Sequence, residues 1–298
     1  MIQVPQSLSC LPRKRELYAT DPYFRDAWED MLALWGAERA QSLLFDLAPV
    51  IYRPDALVAR GVGRGLSATR ELGFTPVACS VFRYDRLSVR EGWRYQLNIA
   101  TRDRIDVMDM IMPATESLYV AMRRAPFETE APATTCLSSS KGPSLPENRK
   151  PHHLRALLGK AQVSVLTYVH ISDEPADIVR ELGIFFDRPQ RLEILRAVEA
   201  CEDVVDEVER AAGELYGRIP PHTLDFAEAL ERVEQMARPL RRQNGDGGGQ
   251  ACDELVGMCG RMRAGACRDW RRLLTLIDEA GLPVGHWDRV AVAAPLAE

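Results

Sequence analysis

The chain has 298 residues, of which 46% are hydrophobic and 27% charged, and its formal net charge is −5. A chain of this length can bury a substantial core, in one main domain with appended elements or in two small domains. The mild acidity excludes a general attraction to nucleic acid or anionic membrane, and no apolar run reaches spanning length, so neither partner is expected. The first residues lack a basic segment followed by an apolar one, which makes a cytoplasmic location the expectation. Seven cysteines without CxxC spacing read as free thiols. The spacing of Cys252, Cys259 and Cys267 fits successive helical turns better than a zinc knuckle, and no metal ligands are assigned.

In chain order, residues 1–45 read as a helical preface. Asp21 is placed to cap a helix with Pro22 at its first position, and Phe24, Trp28, Met31, Leu32 and Trp35 recur at helical spacing until Gly36. Residues 47–52 form a short apolar strand that ends in the turn Arg53-Pro54-Asp55. A helix carrying Leu57, Val58, Val62, Leu66 and Leu72 follows and stops at Gly73. Residues 74–82 read as a second strand, 102–113 as a helix and 118–122 as a further apolar segment. Residues 126–150, rich in Pro, Ser, Thr and Glu, read as a long loop. A short helix near 152–159 precedes a strand over 163–169. Strands and helices in this order suit a small α/β sandwich with helices on one face of an antiparallel sheet.

From Pro189 the strand signal disappears. Leu192, Leu195, Val198, Val205, Val208 and Leu215 mark one helix. Phe226, Leu230, Val233, Met236 and Leu240 mark a second, and Leu255, Met262, Trp270, Leu273 and Ile277 a third. An αα-hairpin with a third packed helix is the simplest account. The glycine-rich stretch 244–250 lacks the Lys-Ser/Thr that completes a P-loop and reads as a connector. The chain thus divides into a preface (1–45), a central domain (46–188) and a helical C-terminal region (189–298).

Chemistry concentrates at residues 167–186. A strand delivers His170 to a junction with a helix whose cap is Ser172 or Asp173, and Ile178, Leu182 and Phe185 share one helical face. Glu181 follows the histidine by about three helical turns. An imidazole is nucleophilic near neutral pH and a helix start favours anions, so the position suits phosphoryl chemistry. Taken alone, the same histidine also reads as a half-buried strand cap.

Its company decides between the two. The segment Tyr52-Arg53-Pro54-Asp55-Ala56 is followed by Arg60-Gly61 and, after a helix, by Glu71-Leu72-Gly73-Phe74. Ser144, Pro146, Pro151 and Arg155 form a second segment. Thr167, His170, Ser172, Asp173, Glu181 and the pair Phe185-Phe186 form a third. In order and internal spacing these three segments resemble the nucleoside diphosphate kinase family over about residues 47–187. The resemblance implies an α/β (α+β) fold with a ferredoxin-like βαββαβ core, here carrying an appended α-helical C-terminal region. It further implies a phosphotransferase in which His170 takes the terminal phosphoryl group of a nucleoside triphosphate, such as ATP, as a phosphohistidine. Glu181 and Ser172 would orient the imidazole. Arg53 and Arg155 would contact phosphate, with Ser144, Thr167, Lys141 and Tyr52 completing the nucleotide side. Mg2+ would accompany the triphosphate. The partners implied are a nucleotide, a small-molecule acceptor and further copies of the chain in a homo-oligomer, because family members assemble as multimers.

The departures are as informative. Arg53 stands where the family has a lysine, and a guanidinium is larger and planar. His152-His153-Leu154 replaces Gly-Thr-Ile, and Thr167 replaces an asparagine. A second family arginine aligns with Ser138, with Lys141 as a neighbouring substitute. Two extra residues separate Arg155 from His170. No clear counterpart of the base-stacking aromatic survives between 86 and 116, where Tyr95 is the nominee. The phosphate end is partly kept and the base end rebuilt. The expected function is therefore phosphotransfer to a changed acceptor, such as one of specialised metabolism. Two alternatives stand beside it: an inactive nucleotide-binding or scaffold protein, and a different nucleotide-dependent reaction using His170 as acid or base.

Overall fold

The computed structural model describes residues 2–125, 130–161, 163–240 and 248–297. The preface contributes α1 (Pro12–Tyr18) and α2 (Pro22–Phe45). The central part runs β1 (Val50–Tyr52), α3 (Pro54–Val58), α4 (Val62–Glu71), β2 (Phe74–Phe82), α5 (Arg86–Gly92), α6 (Arg94–Leu97) and α7 (Arg102–Ile111). It continues through β3 (Ser117–Arg124), α8 (Ala133–Lys141), α9 (Leu154–Leu158), β4 (Val169–Ile171) and α10 (Pro175–Phe185). Beyond lie α11 (Arg188–Ala200), α12 (Val205–Arg218), α13 (Phe226–Leu240), α14 (Gly248–Arg263), α15 (Trp270–Glu279) and α16 (His286–Ala293). None of these helices is long and apolar enough to cross a membrane, among the described residues.

The result is an α+β core built on four strands in the order β2-β3-β1-β4, with every neighbouring pair antiparallel. Register decides which side chains share a face, because successive residues of a strand point to opposite sides. Ile51 pairs with both Tyr119 and His170, which places these three on one face; Tyr52, paired with Leu118 and Val169, points to the other. Helices cover both faces rather than one. The Tyr52 ring packs against Gly65 of α4, where an added Cβ would lie 2.6 Å from the ring. On the opposite face Phe186, just after α10, meets the Tyr119 ring edge-on at 5.2 Å. Coverage on both sides explains why β1 is buried throughout.

Several elements depart from the sequence reading for identifiable reasons. Asp21 caps α2 by accepting from Phe24 N–H at 3.0 Å, as its position before Pro22 suggests. The stripe does end at Gly36, which sits at φ 70°, but the chain resumes a helix on the far side of the kink. The helix expected over 57–72 is split by Arg60 at φ 56° into α3 and α4, and α3 takes up the expected turn at Pro54-Asp55. Within the supposed loop 126–150, residues 133–141 form α8. The strand expected over 163–169 is reduced to 169–171, because Tyr168 at φ 61° breaks extended geometry; His170 therefore lies inside a strand rather than at its end. The cap of α10 is Glu174, beyond both expected positions, Ser172 and Asp173, with Pro175 at the first position and Asp177 closing a capping box. The expected helix over 192–215 breaks at Cys201, at φ 56°, and the expected third helix is two, α14 and α15. The glycine-rich stretch lies largely outside the described residues, and Gly248 already belongs to α14.

Buried side chains of α11 and α12, among them Leu195, Val198, Val208 and Leu215, belong to the same apolar core as the sheet. Leu230 and Val233 of α13, Leu255 and Cys259 of α14, Leu273 and Ile277 of α15 and Val292 of α16 form a second core.

The preface is fastened to the element that carries Glu181. Gly183 of α10 allows the backbone of α2 to approach so closely that a Cβ there would fall 2.1 Å from the Tyr23 carbonyl oxygen. Arg180 Nε donates to Asp21 at 2.7 Å, and Asp30 of α2 accepts from Arg188 at 2.8 Å and from Arg191 at 2.9 Å. Gly183→Ala should cost about 1–3 kcal/mol of stability by overpacking. Gly213→Ala, in an exposed helical site with no atom within 4 Å of the added Cβ, should gain up to about 1 kcal/mol. Urea unfolding of both variants checks this, and equal effects would deny the close approach. Burial works to raise the Asp30 carboxyl, but the bonds and charges of Arg188 and Arg191 outweigh it and hold the group below its ordinary value. Such a carboxylate adds stability that is full above its unfolded pKa and is lost as pH falls through its folded value. Asp30→Asn should therefore cost about 3–5 kcal/mol near neutral pH, with the gap to wild type closing on acidification. A gap that stays constant into the acid range would show that its charge is not what holds α2 to α11.

Candidate functional site

Extended geometry in β4 and the residue after it puts His170 and Ser172 on one side, and α10 brings Glu181 over both. Glu181 Oε1 lies 2.7 Å from His170 Nε2, and Glu181 Oε2 accepts from the Ser172 hydroxyl at 2.8 Å. A carboxylate only accepts, so Nε2 carries the proton and the lone pair resides on Nδ1. Among the described residues Nδ1 has no hydrogen-bond partner, and the side chain keeps 20% of its surface exposed. Trp93 stands edge-on to the imidazole at 5.1 Å between ring centroids. Beside them is a cavity of about 180 Å3, lined in part by Lys14, Trp93, Tyr95, Asp173 and Arg180. The three residues expected to form the catalytic group are thus in direct contact.

A group of cations lies next to this segment. Lys141 Nζ donates to Ile171 O at 3.0 Å and to Asp173 Oδ1 at 3.1 Å, and Ser138 donates to the same oxygen at 2.8 Å. Burial tends to raise Asp173, but Lys141 and Ser138 hold its carboxyl below the ordinary value. Arg155 donates to Gly142 O at 2.7 Å, while its buried Nε has no partner. Burial, reinforced by the charges of Arg53 and Arg149, pushes Arg155 down to about 10. Lys141 is likewise held low by burial, with Arg155 adding to it against the pull of Asp173. Cations that depress one another in this way would be relieved by an anion.

Arg53 and Thr167 occupy a different position. Arg53 is buried and donates through Nε to Asp55 at 3.1 Å, through one terminal nitrogen to Thr167 Oγ1, and through the other to Val165 O at 3.1 Å. Asp55 Oδ2 accepts from Tyr168 N–H at 2.8 Å, and Arg53 N–H donates to Tyr168 O at 2.9 Å. These bonds tie the end of β1 to the chain just before His170, with each guanidinium nitrogen engaged inside the protein. Tyr52 lies on the opposite sheet face, fully buried, and does not join the His170 group. Ser144 is half-buried and offers its carbonyl to Arg149 at 2.6 Å, away from the imidazole. Tyr95 reaches the cavity wall, near the Arg180 guanidinium. His152 and His153 meet edge-on at 4.8 Å between ring centroids, and His153 Nδ1 accepts from Lys150 N–H at 2.9 Å.

Three residues of the cavity carry no local signal in the sequence. Lys14 comes from the preface and bridges Glu174 at 2.8 Å and Asp177 at 2.9 Å. Arg180 and Trp93 sit in stretches whose motifs point elsewhere. Only the folding of α1 and α5 onto α10 brings them together.

Replacing Arg53 with lysine, the smaller cation, should abolish at least two of these buried bonds and leave acceptors at Thr167 and Val165 unmatched. Arg53→Lys is expected to lose about 1–3 kcal/mol in denaturant unfolding, and an unchanged midpoint would remove Arg53 from the support of His170.

No protein-family model matches the chain. Among solved structures it is similar to the nucleoside diphosphate kinase of Aquifex aeolicus, at 19% identity and a TM-score of 0.40, over 48% of this chain and 96% of that one. It is also similar to the nucleoside diphosphate kinase of Encephalitozoon cuniculi, at 15% identity and a TM-score of 0.39, over 47% of this chain and 87% of that one.

Proposed function

We propose that the chain is a phosphotransferase that works through a phosphohistidine on His170, like a nucleoside diphosphate kinase but with a changed acceptor. The observation that carries this reading is the state of the imidazole: Glu181, itself steadied by Ser172, holds Nε2–H and leaves the Nδ1 lone pair unengaged. In the first half-reaction Nδ1 attacks the γ-phosphorus of a nucleoside triphosphate, the bond from that phosphorus to the bridging oxygen breaks, and the diphosphate leaves with the electron pair. Positive charge that develops on the ring is balanced by Glu181. In the second half-reaction an acceptor oxygen attacks the phosphorus, the N–P bond breaks and the lone pair returns to Nδ1. Arg155 and Lys141, cations beside the His170 segment, would neutralise phosphate oxygens. Magnesium would enter with the triphosphate as part of the substrate. Asp173, an exposed carboxylate with one oxygen already held by Lys141 and Ser138, is a hard oxygen donor suited to it. The strand order β2-β3-β1-β4, all antiparallel, is also the order expected of a ferredoxin-like βαββαβ core.

A second reading, nucleotide binding without turnover, is favoured by one observation: Arg53 and Thr167 are engaged with each other rather than open to phosphate. One experiment separates the two. Incubation with γ-labelled ATP and Mg2+ should give an acid-labile label carried on Nδ1, absent in His170→Ala and slowed about 10- to 100-fold in Glu181→Gln. Label that persists in His170→Ala, or none with any common triphosphate, rejects phosphotransfer through His170.

A further inference from the structure

A cavity of about 680 Å3 lies where the core meets the C-terminal helices, and it shares no lining residue with the one at His170. We propose that it is a binding site for a phosphate-bearing small molecule, held by Arg60 and Arg64. This assignment is independent of the reading of His170. The volume falls within the range of small-molecule sites.

The two walls differ in charge balance. On the C-terminal side Asp288 Oδ1 accepts from Arg232 Nε at 2.7 Å and lies 3.1 Å from His222 Nε2. Leu224 N–H donates to His222 Nδ1 at 2.9 Å, and His222 N–H donates to Val58 O at 2.9 Å. Both ring nitrogens are therefore engaged, so the His222–Asp288 pair braces the wall and offers no free base. Glu228 accepts from Thr223 at 2.6 Å and pairs with Arg232 at 3.5 Å; Asp225 lies exposed at the rim and caps α13 through Glu228 N–H at 2.9 Å.

On the core side Arg60 and Arg64 have no carboxylate partner among the described residues. Arg60 stacks on the Tyr216 ring at 4.4 Å and donates only to backbone, to Tyr216 O at 3.0 Å and Ile219 O at 2.6 Å. Its other terminal nitrogen is buried without any acceptor. Arg64 likewise donates only to carbonyls, those of Leu157 and Leu158 at 2.8 Å each and of Ala59 at 3.4 Å. Arg60 holds this position from a left-handed backbone at φ 56°, a strained conformation of the kind that clusters at ligand clamps. Two guanidinium groups that line one wall of a concave space, without a counter-charge among the described residues, call for oxygen acceptors that carry negative charge. Their planar forks match phosphate oxygens. Asp225 at the rim would accept from hydroxyl or amino groups on the rest of such a molecule.

The test is isothermal titration of the full chain carrying His170→Gln, with inorganic phosphate, pyrophosphate and AMP as separate probes. At least one probe should bind in that background, and Arg64→Gln should weaken it about tenfold or more. Because Arg64→Gln also gives up bonds to the Leu157 and Leu158 carbonyls, its affinity is read well below its own melting midpoint. Thr223→Trp, which fills the cavity from an exposed position without altering charge, should weaken the same probe. Hydrogen exchange should show protection at 216–225 and 157–161. Failure of all three probes, indifference to both variants, or protection confined to the surroundings of residue 170 would overturn the assignment.

Discussion

The buried pair of Arg53 and Asp55 is the constraint on which the site depends. Neither charge reaches water appreciably, so each must find its partners within the chain or impose a large desolvation penalty. The acceptors that satisfy Arg53 are Asp55, Thr167 and Val165, and the second oxygen of Asp55 is satisfied by Tyr168 N–H. Satisfying these two side chains therefore dictates the path of residues 165–168. Tyr168 is driven to a positive φ, and its ring packs so closely on Gly159 that a Cβ there would fall 2.0 Å from it. Regular strand geometry starts only at Val169, which leaves His170 opposite Ile51 with its side chain on the face that α10 covers.

On that face the supply of acceptors sets the state of the imidazole. Glu181 is buried, and its two oxygens are divided between an imidazole N–H and a hydroxyl. That division fixes both the tautomer and the ring orientation, because a rotated ring would leave a buried carboxylate oxygen unmatched. Glu181 is held in turn by the seating of α10. Lys14 and Tyr18 of the preface engage Asp177, Arg180 engages Asp21, and Gly183 admits α2. The preface is therefore part of the site's support and one wall of its cavity. A sequence reading that assigns it only a packing stripe captures its apolar face and leaves out its polar one.

Sequence legibility tracks the range of the interaction. Asp21 before Pro22 is a local signal, and the structure shows the cap it implies. The strand 74–82 is legible because it is a short, mostly apolar run set off by Gly73, a signal that is local. His170, Ser172 and Glu181 are legible as a group only through the resemblance of residues 167–186 to a known segment, since the strand expected from sequence stops at 169 and Ser172 reads there as a helix cap. The contacts of Arg53 are not legible, because a guanidinium near a candidate phosphate site and one held by Asp55, Thr167 and the Val165 carbonyl look alike in sequence. Tyr168, Cys201 and Arg60 take positive φ values without glycine, so no residue type announces the breaks they make. The cap of α10 moves to Glu174 because Pro175 suits the first helical position, a preference that also operates at Pro22.

The two groups of cations differ in how completely the chain satisfies them. A guanidinium at position 53 reaches farther than an ammonium and supplies a planar set of donors, which lets it knit β1 to the 165–168 stretch. Arg155 on α9 and Lys141 at the end of α8 stand apart from that knot, both lowered in pKa by burial and by neighbouring cations. Their mutual repulsion is tolerable because Asp173 stands between Lys141 and solvent and because Gly142 O and Ile171 O accept from them. Those contacts hold both side chains without any bond to Arg53. The imidazole is thus oriented by Glu181, and Glu181 by Ser172, on a strand whose start is set by the buried pair behind it.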